Sequence, residues 1–312
     1  MTVTKFCQGI SDISDSYSGF IIDQWGVLHS GEKIFDGAIE CLKELKSRNK
    51  YVIILSNSGK TAEANIERLK SMGLPSNLYD VIVTSGEMTY QGLKNQSEGV
   101  FKDIGKKCYL ISRGGDHSIV DGLDIEVVDE VNDADFLIIS GTDAPEKTLE
   151  DYEPALRKAA QKRLKALCAN PDSLAIIGMS SVMGPGTLAR RYQDFGGVVH
   201  YIGKPHQPIF QHCMRILLEQ GIYPGQTVMI GDAMAHDIIG GSMANIDTCF
   251  VKSGLHASAF KNVKDRVELN KALQLLAAQF NNVRPNYMVN KLVWGAPLPD
   301  RKHKKRAATG RR

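Results

Sequence analysis

A chain of 312 residues with 43% hydrophobic and 23% charged residues has the composition of a globular protein, and it is longer than one core of about 100–150 residues requires, so two domains are expected. No run approaches the roughly 18 apolar residues of a membrane span, and the N-terminal MTVTKFCQGISDISDSYSG has no basic segment followed by an apolar one. No membrane partner or secretory signal is therefore read, and a cytoplasmic location is the expectation. The formal charge of +3 misleads: the last twelve residues, RKHKKRAATGRR, carry seven Lys or Arg and no acid, so the other 300 sum to −4.

Taken in chain order, the first element is GFIID, 19–23, apolar until it delivers Asp23 into the turn QWGVLHSG. DGAIECLKELKSRN then repeats its apolar residues at helical spacing, and YVIILSN, 51–57, returns to an unbroken apolar run. TAEANIERLKSMG reads as a helix, VIVTSG, CYLIS and DFLIISG as strands, and EKTLEDYEPALRKAAQKR as a further helix. LKALCAN is a strand, QPIFQHCMRILLEQG a helix after the apolar VVHYI, and TVMIGD a strand that leads through the helical AHDIIGGSMAN to the strand DTCFVKSG. Strands that are apolar on both faces and separated by helices imply parallel sheets covered on both sides, so the fold class is α/β. No repeat, low-complexity block or long linker interrupts the pattern, so a second domain must be an insertion or a tightly joined unit. The six cysteines are scattered without a CxxC pair, which reads as ordinary buried thiols rather than a zinc site or disulfide framework. The tail, 291–312 in this division with its basic residues after WGAPLPD, reads as a disordered, solvated arm, weighed against a role on nucleic acid or an anionic surface. Nothing else in the chain suggests nucleic-acid binding.

In parallel sheets ligands bind beyond the carboxyl ends of the strands, and four apolar runs here end in polar chemistry. Asp23 follows GFII; Ser56 and Asn57 follow YVIIL; Lys204 follows VVHYI; Asp232 and Asp237 follow TVMI. A carboxylate to attack, a hydroxyl and N–H groups for phosphate oxygens, an ammonium and further carboxylates for a hard divalent cation make a phosphate-transfer set. Each has an ordinary counterpart. Asp23 suits a turn, Ser56 a helix cap, Lys204 an exposed position before proline, and Asp232 with Asp237 a turn and a helix start. Their conjunction at strand ends is what favours the phosphate reading.

These stretches, DQWGV (23–27), LSNS (55–58), GKP (203–205) and GDAMAHD (231–237), resemble the four motifs of the haloacid dehalogenase-like (HAD) superfamily of phosphohydrolases. The interval of 148 residues from Ser56 to Lys204 resembles the class IIA branch with a large inserted cap, the NagD and p-nitrophenyl phosphatase type. The resemblance implies a Rossmann-like core at 1–88 and 200–290 and an α/β cap at 89–199 that selects the substrate. It further implies that Asp23 attacks phosphorus to form an aspartyl-phosphate, and that Ser56, Asn57, Gly26 and Lys204 hold the phosphoryl group. The implied cofactor is Mg²⁺, held by Asp23, the backbone carbonyl of Trp25, Asp232 and Asp237.

The sequence departs from that family at Trp25, where most of its phosphatases carry the second aspartate of Asp-x-Asp, the general acid/base. An indole cannot titrate near neutral pH, and losing such a group typically costs a factor of about 10²–10⁴. His29 is the candidate replacement, weighed against a histidine on a loop leading away; His206 and His236 are further candidates. The loop after CANPD, with Ile176, Ile177, Met179, Val182 and Met183 and with Arg190 and Arg191 behind it, is apolar enough to face a substrate group or a second subunit in a homodimer through the cap. The leading expectation is a phosphatase of a small phosphorylated metabolite. Its alternatives are a weak or inactive relative that binds a phospho-ligand as sensor or scaffold, and another phosphorus transfer such as P–C cleavage.

Overall fold

The computed structural model describes residues 3–177 and 180–295. In chain order the elements begin with β1 (Lys5–Phe6), β2 (Gly19–Asp23), α1 (Ala38–Ser47), β3 (Tyr51–Ser56), α2 (Ala62–Ser71), β4 (Val81–Thr84) and α3 (Ser85–Asn95). A second group follows: β5 (Lys107–Ile111), β6 (Glu126–Val127), β7 (Phe136–Ile139), α4 (Leu149–Gln161), β8 (Lys165–Cys168), β9 (Leu174–Ile177), β10 (Ser180–Met183), α5 (Pro185–Asp194) and β11 (Val198–Tyr201). The chain ends with α6 (Gln207–Glu219), β12 (Thr227–Gly231), α7 (Ile239–Met243), β13 (Asp247–Val251), α8 (Arg266–Ala278) and β14 (Tyr287–Val289).

Two parallel sheets result. The larger has seven strands in the order β1-β14-β13-β12-β2-β3-β4, and the smaller five, in the order β11-β8-β7-β5-β6. β9 and β10 form a separate antiparallel hairpin. The apolar runs have the expected cause. Successive residues of a strand face opposite sides, so Phe20 and Ile22 pack with Leu42 and Leu45 on one face of the large sheet, while Ile21 packs with Phe210 and Leu217 on the other. The smaller sheet repeats this with Leu137 and Ile139 on one face and Phe136 and Ile138 on the other. All six cysteines are unpaired and five are buried. No helix among the described residues is long and apolar enough to cross a membrane.

Several boundaries differ from the sequence reading. α3 runs across the expected junction at 88/89: Thr84 caps it, accepting the Glu87 N–H at 2.9 Å, so the helix carries the chain out of the large sheet without a break. The return lies at Tyr201 rather than 199, because β11 is the last strand of the smaller sheet. AHDIIGGSMAN opens as a wide π-type turn at Met234–Ile238 before α7. Residues 291–295 are packed rather than part of a tail. Leu292 is buried, and the N–H groups of Ile10 and Ser11 donate to the carbonyls of Val293 and Trp294 at 2.9 and 2.8 Å. The rest of the basic arm lies outside the described residues.

Phe210 fills the contact of α6 with the large sheet and is fully buried. Phe210→Ala should therefore destabilise the protein by about 3–5 kcal/mol, read as a lower urea midpoint with an unchanged slope.

Candidate active site

The register of the large sheet brings three of the four expected strand ends together. β2 lies between β12 and β3, with Ile22 beside Ile230 and Asp23 beside Leu55. Asp23, Ser56 with Asn57, and Asp232 therefore leave adjacent strands at one edge. Lys204 arrives by another route. The strand before it, β11, belongs to the smaller sheet, so this strand end stands apart from the other three. The chain is then passed to α6, which packs on the large sheet.

Asn57 makes that crossing definite. Its Oδ1 accepts the Lys204 N–H at 2.7 Å, and its Nδ2 donates to the Lys204 carbonyl at 3.1 Å and to Asp172 Oδ1 at 2.8 Å. Gly203 is required beside it, since a Cβ there would lie 2.5 Å from Asn57 Oδ1. Asp172 comes from the segment after β8. Its Oδ1 also lies 3.0 Å from His236 Nδ1, so one carboxylate ties the insert to two motifs of the core. Burial opposes both charges, but the bond between them holds Asp172 below and His236 above their ordinary values.

Lys204 is buried with its ammonium 2.5 Å from Asp23 Oδ1 and 2.7 Å from Asp237 Oδ1. Asp237 Oδ2 accepts the Ala233 N–H at 2.9 Å, and Asp232 Oδ2 accepts the Leu255 N–H at 2.7 Å. Oxygen atoms of Asp23, Asp232 and Asp237 all lie within 4.8 Å of one another. Burial, then the neighbouring Asp237, pushes Asp23 up to about 7 against the pull of Lys204. Burial with Asp23 and Asp237 likewise raises Asp232 well above its ordinary value. Burial works against the charge on Lys204, but the two aspartates outweigh it and raise its pKa. Three carboxylates face one ammonium, and this oxygen-rich deficit of positive charge fits a hard divalent cation.

Gly26 has a different reason from the one its sequence suggested. Its φ is +79°, and a Cβ would sit 2.0 Å from Asp232 Oδ2, so it is Asp232 rather than phosphate that demands the glycine. Ser56 Oγ accepts the Ser58 N–H at 3.2 Å beside the cluster. Trp25, two residues after Asp23, sets its indole against Gly31, where an added Cβ would lie 3.1 Å from Nε1. A cavity of about 490 Å³ opens above these groups and is shared with the insert, whose Arg113, Asp172 and Ser181 also line it. Met183 packs into the insert's own core; Met179 and the side chains of Ile176 and Ile177 lie outside the described residues.

His29 is at the cavity too, yet buried in a way that does not suit proton transfer. Its Nδ1 accepts the Gly31 N–H at 2.9 Å, which places the proton on Nε2, and that atom has no partner among the described residues. Burial, helped by Arg68, lowers its pKa to about 4, so it is neutral at pH 7. His206 stacks on Tyr201 with ring centroids 4.8 Å apart.

Two family descriptions match the chain: haloacid dehalogenase-like hydrolase over residues 20–126 and HAD-hydrolase-like over 201–292. Those stretches contain every strand-end residue described above. The chain is similar to the 5'-nucleotidase YutF of Bacillus subtilis, at 28% identity over 77% of this chain and 89% of that protein. A haloacid dehalogenase-like hydrolase from Brucella suis superposes with a TM-score of 0.76 at 28% identity, covering 92% of this chain and all of the other, 100%. The p-nitrophenyl phosphatase of Archaeoglobus fulgidus shares the fold, with a TM-score of 0.67 at 22% identity over 89% and 97% of the two chains.

A histidine whose pKa falls from 6.5 unfolded to about 4 folded contributes stability that is complete above 6.5 and lost as pH falls toward 4. His29→Gln should remove that slope. Between pH 7.5 and 5, wild type should lose about 2 kcal/mol more than the variant in urea titrations.

Proposed function

We infer that this chain, which belongs to the haloacid dehalogenase-like hydrolases, is a phosphoric monoester hydrolase that acts on a small phosphorylated metabolite. The observation that carries the reading is the buried Lys204 between Asp23 and Asp237, with Asp232 beside them, beneath a cavity of about 490 Å³. Similarity to a 5'-nucleotidase supports the same reaction class.

In this reading Asp23 attacks phosphorus. Its carboxylate oxygen forms a bond to phosphorus as the bond to the leaving oxygen breaks, giving an aspartyl-phosphate that water then opens. The Ser56 hydroxyl, the backbone N–H at Asn57 and the Lys204 ammonium hold the phosphoryl oxygens, and Gly26 makes room in the same loop for Asp232. Charge spread over the transition state makes such donors the main source of catalysis. Asp23, the Trp25 carbonyl, Asp232 and Asp237 would hold Mg²⁺, which supplies positive charge against the carboxylates and the phosphate.

Trp25 cannot protonate the leaving oxygen, and His29 offers no free basic nitrogen. The enzyme is therefore suited to acyl and aryl phosphates, whose leaving groups need little protonation. Trp25 also favours the second reading, a phospho-ligand binder with little turnover.

Phosphate release from acetyl phosphate, p-nitrophenyl phosphate and alkyl phosphates separates the two. Release should vanish in Asp23→Asn and fall steeply toward alkyl esters. Trp25→Asp should raise kcat on the alkyl esters by about 10²-fold or more. No release from any ester, with phosphate still bound, leaves the binder. Chelation should abolish turnover and Mg²⁺ should restore it, whereas activity indifferent to a chelator would remove the cation from the scheme.

A further inference from the structure

Above Asp23 the cavity is lined by three basic residues that the phosphoryl chemistry does not use: Lys60 and Arg68 of the core and Arg113 of the insert. Two acids of the outer wall face them, Asp116 and Asp172, and Asp172 is already held by His236 and Asn57. Asp116 lies 3.3 Å from the Lys60 ammonium, in a pair exposed enough to be weak. Arg68 donates to the Gly31 carbonyl at 3.1 Å. Arg113 has no carboxylate partner among the described residues, and its Nη1 donates only to the Ala144 carbonyl, at 3.2 Å.

Arg113 is nevertheless well placed by its surroundings. Gly141 lets its main chain pass closely, since a Cβ there would come within 2.7 Å of the Arg113 nitrogen. The next residue, Gly114, donates its N–H to Asp143 Oδ1 at 2.8 Å. The Arg113 guanidinium is exposed at the cavity wall and bonded to a neutral carbonyl; the nearby Asp143, whose charge it feels, is itself paired with Lys147, which leaves the guanidinium open to a further anion.

We propose that the substrate carries a second anionic group, a carboxylate or a second phosphate, held by Arg113 and Lys60 at the end remote from the phosphoryl group removed. This rests on the phosphatase reading and names the substrate class of the same site. The second anion takes Lys60 from Asp116, so the insert and the core are drawn onto opposite sides of the ligand.

The test compares kcat/KM of the full chain with Mg²⁺ for glycerol 3-phosphate, 3-phosphoglycerate and 2,3-bisphosphoglycerate. The esters with a further anion should exceed the neutral one by about 10- to 100-fold, the worth of a charge-assisted pair. Whether the carboxylate or the second phosphate gains more identifies which group the site prefers. Arg113→Met should collapse that ratio by about tenfold or more, and Asp116→Asn, which frees Lys60, should keep or raise it. A ratio near one in the wild type, or one unchanged in Arg113→Met, overturns the subsite. Calorimetric affinities of the Asp23→Asn protein for the same ligands give the ratio without turnover. A protein that binds the anionic esters preferentially and releases phosphate neither from them nor from acetyl or p-nitrophenyl phosphate sinks the phosphatase reading and keeps the subsite.

Discussion

The structure turns on one buried ammonium. Taking Lys204 out of water is expensive, and its contacts with Asp23 and Asp237 repay that only in good geometry. Much of the surrounding architecture serves that geometry. Asn57 grips the Lys204 backbone from both sides, and Gly203 leaves room for the grip. The Ala233 N–H fixes the far oxygen of Asp237, and Gly231 lets Asp237 lie against the end of β12, where a Cβ would come within 2.2 Å of its carboxylate. The arrangement is still short of positive charge. Burial, and after it the neighbouring carboxylates, raises Asp23 and Asp232, and the oxygen-rich cluster fits a hard cation.

The insert enters this account as more than a cover. Asp172 bonds to Asn57 and pairs with His236, so the residue that positions Lys204 is itself positioned from the smaller sheet. Gly59 and Ser140 show how closely the two parts meet, since a Cβ on Gly59 would lie 2.5 Å from the Ser140 carbonyl oxygen. The floor of the cavity and the insert's Asp172 therefore share a hydrogen-bond network.

What the sequence revealed followed from burial. Strands covered on both faces have to be apolar at every position, so β2, β3 and β12 stood out, and so did the polar residues that ended them. Edge elements left no such mark: β1 and β6 are two residues each, too short for any periodicity. Asp172 was hidden for another reason. In Asn-Pro-Asp it looks like a turn residue, and its partner Asn57 is 115 positions away. At Gly26 the coordinates supply a reason the sequence could not, the carboxylate of Asp232. The apolar Leu292 and Trp294 were a signal that the fold continues past 290, masked by the basic residues that follow.

The placement of β11 has a consequence for how such proteins can diverge. The strand that completes the smaller sheet ends at Tyr201, and Lys204 follows it by three residues. The insert and the buried ammonium are thus joined in one continuous piece of chain. A foreign insert grafted between Thr84 and Tyr201 would have to close on that same three-residue span to leave the ammonium in its seat. Side-chain changes on loops such as 112–117 leave that span untouched, because those loops carry no part of it.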